Sequence, residues 1–384
     1  MRTIFKDGWV YRAADRSFQK QDLICENGRI LPAGCAGLSP EDIVIRASGL
    51  YVMPGLVDVH THGCAGYDFV YADAGGLARM QTFYLSHGVT SVMPTLASGT
   101  PEEWGRAVTE IGKAGEGSIW RGIHFEGRYL NPAKRGAHAS DRLSALNAGE
   151  ATGFLQQVRG AKHMTAALEL DDPEHTFLTA VLNSGATVSL GHTMADYATA
   201  EKLFDCGVTA VTHLFNAMPS LHHRSGGVVA AALTRKDVFC ELIVDGLHIA
   251  PEVVRLTREL KGSKLVLITD SMEGTGCPDG EYRIAGEKVI LRDGEARTED
   301  GALAGSTLTL DLAVRNYMRF TGASLEEAWY SASLAPAQEV GLESIIGSLE
   351  PGKRADVVLL SCDGTPESLV CEAVYSGGRQ TWAR

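Results

Sequence analysis

Between residues 50 and 345, short apolar segments alternate with stretches of helical character. Segments such as "VTSVMPTL" (89–96) and "KLVLITD" (264–270) are short and rich in β-branched residues, which is typical of buried strands. Helices are predicted between such segments, as near 73–87 and 101–114. The alternation predicts eight βα units. Roughly 300 residues of this kind suit a (β/α)8 TIM-type barrel, which usually takes about 250 residues plus insertions.

The two ends of the chain have a different pattern, in which short β-type segments are separated by turns. "DLICENGRI" (22–30) contains an Asn-Gly pair, which tolerates positive φ and predicts a tight hairpin. We predict that residues 1–49 and 347–384 join in a small β-sandwich domain and that residues 50–346 form the barrel. "YVMPGLVDVH" (51–60) is predicted to be its first strand, and residues 281–301 a β-hairpin excursion from it.

Composition and charge narrow the classes of partner. The 384 residues are 45% hydrophobic and 21% charged, and the formal net charge is −12. An acidic chain is a poor non-specific ligand for nucleic acid or an anionic membrane, so we expect neither partner. The eight cysteines are scattered without a CxxC pair, and the N-terminal residues lack the apolar segment of a signal peptide. We therefore expect reduced thiols and a cytoplasmic location.

Polar residues that can bind a metal stand at the ends of the predicted strands. Because the carboxyl ends of barrel strands converge on one mouth, we expect them to lie close together. They are His60, His62, Glu126, His192, His213, His248 and Asp270. One histidine at a strand end is more often structural than a ligand, but several such residues favour a site. Imidazoles combined with carboxylates suit Zn²⁺ or Fe²⁺.

The other histidines have less specific signals. His124 shares a strand face with Glu126 and belongs either behind the site or in the core. Cys64 is predicted to be a small buried hydrophobe. The remaining histidines lie in predicted helical or loop contexts and are interpreted as structural: His87, His163, His175, His222 and His223.

Seven motifs together resemble the N-acetylglucosamine-6-phosphate deacetylase family of the amidohydrolase superfamily. They are "PGLVDVHTHG", "HFEG…LNPAKRGAH", "SLGHT", "VTHLFNAM", "IVDGLHIAP", "LITDSMEGTG" and "LAGSTLTL". The closing "GSLEPGKRADVVLL" is similar to the superfamily's return to its small β domain. The resemblance runs from about residue 50 to 360. It implies hydrolysis of the acetamide of N-acetyl-D-glucosamine 6-phosphate to D-glucosamine 6-phosphate and acetate, with a divalent metal.

The resemblance also implies roles for individual residues. Glu126, His192 and His213 match the family's main metal ligands, and Asp270 matches its catalytic aspartate. His138 matches a histidine that contacts the substrate and its acetyl carbonyl. The positions that hold the sugar phosphate are matched by Asn216, Ala217, Arg224 and His248. In the family the arginine is supplied by the neighbouring subunit, so a homodimer is implied.

Several alternatives remain open at this point. His60 and His62 are expected to bind a second ion, but they could also lie behind the first one or bind nothing. Arg128 and Tyr129 stand where the family often has Pro-Phe, which could alter the pocket. Other substrates are N-acetylgalactosamine 6-phosphate, an N-acyl amino acid or a cyclic amide. A non-catalytic barrel with an assembly role is the alternative outside enzymes. Zinc and iron accept the same ligands.

Overall fold

The structure is a computed structural model that describes residues 2–34, 39–115 and 117–384. Five strands precede the barrel: β1 (Arg2–Arg12), β2 (Ser17–Glu26), β3 (Arg29–Ile30), β4 (Ile43–Arg46) and β5 (Tyr51–Pro54). The β2–β3 turn confirms the predicted hairpin, with Asn27 and Gly28 at φ values of 50° and 75°. β1 pairs with β2 in antiparallel fashion and with β4 and β5 in parallel fashion.

A barrel of eight parallel strands forms the centre of the molecule. This part of the chain contains β6 (Leu56–Thr61), β7 (Gly63–Cys64), β8 (Tyr67–Asp68), β9 (Val89–Leu96), β10 (Gly122–Glu126), β11 (Ala161–Ala166), β12 (Thr187–Leu190), β13 (Ala210–Val211), β14 (Phe239–Ile243) and β15 (Leu265–Ile268). β7 and β8 form a separate small ribbon, and the other eight pair in the order β15-β14-β13-β12-β11-β10-β9-β6. The barrel closes where Asp270 N–H donates to His60 O over 2.9 Å.

Helices connect the strands and cover the outside of the barrel. They are α1 (Ala74–Ser86), α2 (Pro101–Gly112), α3 (Ala148–Gln157), α4 (Thr176–Asn183), α5 (Tyr197–Asp205), α6 (Gly227–Thr234), α7 (Pro251–Lys261), α8 (Leu310–Thr321), α9 (Leu325–Ser331) and α10 (Leu334–Glu339). α2 begins at a capping box in which Thr100 and Glu103 satisfy each other's backbone N–H groups. The two helices predicted near 73–87 and 101–114 are confirmed as α1 and α2.

The segment predicted as a β-hairpin has three strands instead of two. β16 (Gly280–Ile284), β17 (Glu287–Arg292) and β18 (Glu295–Thr298) form an antiparallel sheet, which we call the insert. Ala285–Gly286 and Asp293–Gly294 provide its two turns with positive φ. Both turn pairs suit tight hairpins, so the third strand follows from the second turn.

The C-terminal strands return to the N-terminal ones. β19 (Val357–Ser361), β20 (Val370–Ser376) and β21 (Arg379–Ala383) complete an eight-stranded sheet in the order β21-β20-β19-β5-β1-β2-β3, with β4 beside β1. This sheet has its own apolar cluster, which includes Phe5, Val10 and Val357. Terminal strands from opposite ends of the chain thus pack together beside the barrel.

The segment predicted as one first barrel strand is divided at Gly55. β5 pairs with β1 and β19 in the terminal sheet, and β6 enters the barrel. A Cβ at Gly55 would lie only 1.9 Å from Thr90 Oγ1, so the chain needs glycine to pass this point. Within the described residues, no helix is both long and apolar enough to cross a membrane.

Candidate active site

Glu126 lies at the centre of a buried cluster of imidazoles at the carboxyl end of the barrel. As the last residue of β10, it presents Oε1 at 3.1 Å from His192 Nε2 and 3.0 Å from His213 Nε2. Its Oε2 lies 3.2 Å from His60 Nε2 and 2.9 Å from His62 Nε2. One carboxylate therefore contacts four histidines from three other parts of the barrel.

Asp270 joins this cluster from the end of β15. Its Oδ1 is 3.2 Å from His62 Nε2 and 3.5 Å from His60 Nε2. The backbone of Asp270, His192 and His213 is left-handed, with φ values of 49°, 48° and 30°. Non-glycine residues rarely adopt this conformation, and it concentrates at functional sites, where strain is held by the surrounding structure.

The ligand atoms fall into two sets that share Glu126. The first set is Glu126, His192 and His213, and the second set is His60, His62, Glu126 and Asp270. Within each set all atoms lie within 4.8 Å of one another, and all of these residues are buried. Nitrogen and carboxylate oxygen ligands of this kind fit a divalent metal ion.

Hydrogen bonds behind the rings orient two of the histidines as ligands. His192 Nδ1–H donates to Lys134 O over 2.8 Å, which turns Nε2 toward Glu126. His60 Nδ1 lies 2.9 Å from Glu241 Oε2, and its buried Nε2 has no hydrogen-bond partner. When these rings are neutral, their Nε2 lone pairs face the oxygens of Glu126 across about 3 Å, as expected where a cation belongs between them.

Both carboxyl groups of the cluster are ionised at neutral pH. In the metal-free chain, burial raises the pKa of Asp270, but the charge of His60 and the hydrogen bond and charge of His62 outweigh it and lower that pKa to about 2. Burial likewise raises the pKa of Glu126, and the charge of His60 and the hydrogen bonds of His192 and His213 bring it well below its ordinary value. Asp270 is therefore a carboxylate, the form that a proton acceptor needs.

His138 faces the same cavity as a neutral hydrogen-bond donor. Ser98 N–H donates to His138 Nδ1 over 3.3 Å, so the ring proton is on Nε2, which lies 3.8 Å from Glu126 Oε2. Burial lowers the pKa of His138 to about 3, with the charge of His192 as a further cause. A neutral imidazole N–H beside the ligand sets suits an oxygen that gains negative charge.

The cluster opens into a cavity of about 180 Å³. Among the residues predicted to hold a phosphate, Asn216, Ala217 and His248 line it. The insert contributes Ile284 and Ala285 to the cavity wall, and Leu303 and Gly305, which follow the insert in the chain, line it as well. A hydrogen bond between His248 Nδ1 and Asp245 Oδ2, over 2.6 Å, fixes the orientation of the His248 ring.

Arg224, unlike the other residues predicted to hold the phosphate, does not line this cavity. It lies exposed on the loop that follows β13. Arg128 and Tyr129, the two departures from the family pattern, do not line the cavity either. Both bond to Glu150, Arg128 Nη2 over 3.0 Å and Tyr129 Oη over 2.8 Å.

The structure corrects the interpretation of His163. It lies on β11, where it is fully buried and its Nδ1 is 2.7 Å from Thr187 Oγ1, so its predicted helical or loop context was wrong. His124 is buried in the core and bonds to Thr165 Oγ1 over 2.8 Å. Cys64 is fully buried, as predicted.

Three residues that hold the site histidines were not predicted from the sequence. They are Ser98 beside His138, Glu241 beside His60, and Asp245 beside His248. For Glu241 a signal was present, since it is a carboxylate inside the otherwise apolar strand β14. A charged residue buried in such a strand needs a partner.

Residues 51–380 match the model of the amidohydrolase family. The chain is 34% identical over 340 residues to N-acetylgalactosamine-6-phosphate deacetylase of Escherichia coli O157:H7, covering 86% of this chain and 89% of the relative. It is 34% identical over 323 residues to N-acetylglucosamine-6-phosphate deacetylase of Vibrio furnissii, covering 81% and 79%.

A solved structure extends the likeness to the whole fold. It is a mutant of N-acetyl-D-glucosamine-6-phosphate deacetylase from Mycobacterium smegmatis in complex with N-acetyl-D-glucosamine-6-phosphate. The two chains superpose with a TM-score of 0.87 at 30% identity, covering 99% of this chain and 98% of the other. With the family model matched over most of its length, this chain belongs to the amidohydrolase family.

Proposed function

We propose that this chain is a metal-dependent deacetylase that hydrolyses the acetamide of N-acetyl-D-glucosamine 6-phosphate. The products are D-glucosamine 6-phosphate and acetate. The observation that carries the proposal is the buried Glu126, with four imidazoles and Asp270 around it, in a cavity lined by donors. Curated deacetylases of this substrate that are 34% identical to the chain support it.

The residues that would hold the metal are those of the two ligand sets. In this proposal Glu126, His192 and His213 would hold one ion. His60 and His62 would hold a second, in the set that also contains Glu126 and Asp270. When bound, a divalent ion such as zinc or iron makes water more acidic and polarises a carbonyl. Both ions accept this mixture of nitrogen and oxygen ligands.

Two side chains then have separate roles in amide hydrolysis. Asp270, ionised and next to the ligand sets, takes the proton of the attacking water and delivers it to the departing amine nitrogen. His138 donates its Nε2–H to the carbonyl oxygen as negative charge develops there. Removing one donor of this kind typically costs about 2.7–4 kcal/mol of transition-state stabilisation.

The phosphate is held in this proposal by Asn216, Ala217 and His248, together with Arg224. Because a chain of net charge −12 repels an anion at long range, the donors must be local. Arg224 does not line the cavity of its own chain, and we propose that it reaches the cavity of a second copy in a homodimer. A guanidinium can hold phosphate oxygens through paired hydrogen bonds.

Exposed apolar side chains near Arg224 favour such a dimer. Met194, Tyr197, Leu221 and Leu247 are between 43% and 50% exposed. Met194, Leu221 and Leu247 lie on the loops that follow β12, β13 and β14, and Tyr197 is the first residue of α5. Tyr197 packs within 4 Å of the Cβ position at Gly226, so this surface adjoins the Arg224 loop. Large exposed apolar side chains gathered on one face are typical of a surface covered by a partner.

N-acetyl-D-galactosamine 6-phosphate is the second candidate substrate, and a specific relative favours it. The curated deacetylase of that sugar is as similar to the chain, at 34% identity, as those of the glucosamine epimer. We give priority to the glucosamine substrate, which more of the relatives name. Because all seven cysteines within the described residues are free, we place the reaction in the cytoplasm, where thiols stay reduced.

Acetate release from the two sugar phosphates tests the proposed substrate. We expect the metal-loaded chain to hydrolyse N-acetyl-D-glucosamine 6-phosphate with a higher kcat/KM than its galactosamine epimer, and unphosphorylated N-acetylglucosamine far more slowly. A higher kcat/KM for the galactosamine substrate would replace the first candidate with the second. Equal rates with and without phosphate would contradict the phosphate-binding role.

A further inference from the structure

A second buried cluster lies on the far side of the His60 ring from Glu126. It consists of His163 on β11, Glu241 on β14 and Glu339 at the end of α10. Each of the three is at most 1% exposed, and their side-chain nitrogen and oxygen atoms lie within 4.8 Å of one another. This cluster is separate from the two ligand sets, but Glu241 connects it to His60.

Four atoms of this cluster have no hydrogen-bond partner. They are His163 Nε2, Glu241 Oε1, and both carboxyl oxygens of Glu339. A carboxyl oxygen without a proton can only accept, so the two facing carboxyl groups lack a donor between them. A buried arrangement of this kind needs either a proton or a cation.

Hydrogen-bond partners distinguish the two carboxyl groups. Glu241 Oε2 lies 2.9 Å from His60 Nδ1 and accepts the backbone N–H of His213 over 3.1 Å. One oxygen of Glu241 is therefore satisfied by two donors. Glu339 has no such donor and is therefore the group that a proton neutralises at least cost.

The electrostatic surroundings agree with this assignment. Burial, and next the charge of the neighbouring Glu241, raise the pKa of Glu339 well above its ordinary value. When a carboxylic acid lies next to a carboxylate, its one proton forms an O–H···O hydrogen bond between them. That bond gives a partner to one oxygen of each group.

We propose that Glu339 is a positioning residue, a neutral carboxylic acid that donates a hydrogen bond to Glu241 Oε1 and thereby holds Glu241 against His60. His60 is then kept in the tautomer with Nδ1–H toward Glu241 and the Nε2 lone pair toward Glu126. The consequence for metal binding rests on the proposed role of His60 as a ligand. The protonation of Glu339 does not depend on that role.

Two substitutions of Glu339 separate a neutral donor from every other role. Glu339→Gln keeps the size and supplies an amide N–H that can donate to Glu241. Glu339→Met has a similar length but no donor. Gln338→Met is the matched control, because it makes the same kind of change at the neighbouring, half-buried position of α10. Thermal melting of each metal-free variant checks that it is folded.

The first measurement is the infrared spectrum of the metal-free chain at neutral pH. We expect the carbonyl stretch of a protonated carboxylic acid in the unmodified chain and in Gln338→Met, and its loss in Glu339→Gln. If replacing Glu339 by glutamine removes no protonated-acid band, the proposal is wrong. This result is independent of deacetylation, so the proposed function and the state of Glu339 can fail separately.

The second measurement is Zn²⁺ binding by the metal-free chains. Mutating a residue that holds a metal ligand in place typically weakens metal affinity by about 10- to 100-fold. We therefore expect a loss of this size in the Zn²⁺ affinity of Glu339→Met, and a loss of about threefold or less in Glu339→Gln. Equal losses in both variants would show that the charge of Glu339 is needed, as for a ligand of a cation in this cluster, and would overturn the proposal. Affinities unchanged in both variants would equally exclude a positioning role.

Discussion

At the scale of single residues, Glu126 organises the chemistry. Each of its oxygens faces two imidazole nitrogens at 2.9–3.2 Å. Burying a carboxylate is costly unless it is paired, and His192, whose Nδ1–H is donated to Lys134 O, would direct a lone pair at Glu126 when its ring is neutral. A divalent cation between these atoms would satisfy both groups, and in the proposed function Asp270 is the group that moves protons.

Asp270→Asn tests the proton-transfer role. We expect kcat for N-acetyl-D-glucosamine 6-phosphate to fall by about 10²–10⁴-fold, because the amide cannot accept the water's proton. The ion bound by Glu126, His192 and His213 and the melting temperature should both be retained. Metal content is measured by elemental analysis and kcat by acetate release. Activity within a few-fold of the unmodified chain would contradict the assigned role.

Residues that end apolar strands could be selected from the sequence, and those that support them could not. Glu126, His192, His213 and Asp270 stand where a strand ends, which is a local signal. Glu339 gives no local signal, because it ends a short helix and reaches Glu241 only through the fold. The tautomers of His60 and His138 likewise depend on neighbours that are distant in sequence.

At the scale of elements, strand geometry places two of the proposed ligands at the end of β6. His60 and His62 are two residues apart, so both side chains leave the strand end on the same face. Their Nε2 atoms lie 3.2 Å and 2.9 Å from the same oxygen of Glu126. This register is what makes a second ion plausible on physical grounds.

The double variant His60→Asn/His62→Asn tests the second ligand set. We expect the metal content of the saturated protein to fall from about two ions per chain to about one, because three imidazole and carboxylate ligands are the usual minimum for a catalytic zinc site. Glu126, His192 and His213 would keep the first ion. If the unmodified, saturated chain never holds more than one ion, the second site does not exist.

Gly305, which follows the insert in the chain, lies between Ile284 of the insert and the backbone of Asp270. This residue has a φ of 61°, and a Cβ there would lie 2.8 Å from Ile284 Cδ1 and 3.2 Å from Asp270 O. We expect Gly305→Ala to lower kcat/KM by about tenfold or more, since small displacements of catalytic groups have large effects. Gly301→Ala is the control, because its φ of 87° gives similar strain but nothing lies within 4 Å. An equal loss of kcat/KM in both variants would show that the contact of Gly305 with Ile284 and Asp270 does not matter for activity.

Element prediction succeeded where the pattern was local. α1 and α2 begin and end within about two residues of their predicted bounds. The break at Gly55 was not predictable, because the apolar pattern of the sequence continues across it. Only the close approach of Thr90 in the folded chain requires glycine there. The third strand of the insert is short and polar, "EART", and so lacks the alternation that identifies a strand.

At the scale of the whole molecule, the chain brings all but one of the residues proposed to hold the phosphate to its own cavity, and the exception is the arginine. His248, Asn216 and Ala217 line the cavity, while Arg224 is exposed beside apolar side chains. A sequence cannot show which copy of a chain a side chain will serve. The position of Arg224 outside its own cavity is the observation that makes a shared site testable.

Arg224→Ala should lower kcat/KM for the phosphorylated sugar by about 10²-fold, the equivalent of about 2–3 kcal/mol for a lost charge-assisted hydrogen bond. Hydrolysis of unphosphorylated N-acetylglucosamine should barely change. Mixing Arg224→Ala chains with Asp270→Asn chains should restore activity, because some sites then combine an intact Asp270 with the partner's arginine. Hybrid dimers that form without regaining activity would exclude the shared site.

The central claim is that the ion held through Glu126 enables this chain to cleave the acetamide of N-acetyl-D-glucosamine 6-phosphate. Acetate release by metal-loaded protein tests it most directly, with Glu126→Gln as the control. The account predicts equimolar acetate and D-glucosamine 6-phosphate from the unmodified chain, and neither bound metal nor turnover in Glu126→Gln. No acetate from a fully loaded chain, or undiminished turnover in Glu126→Gln, would contradict it.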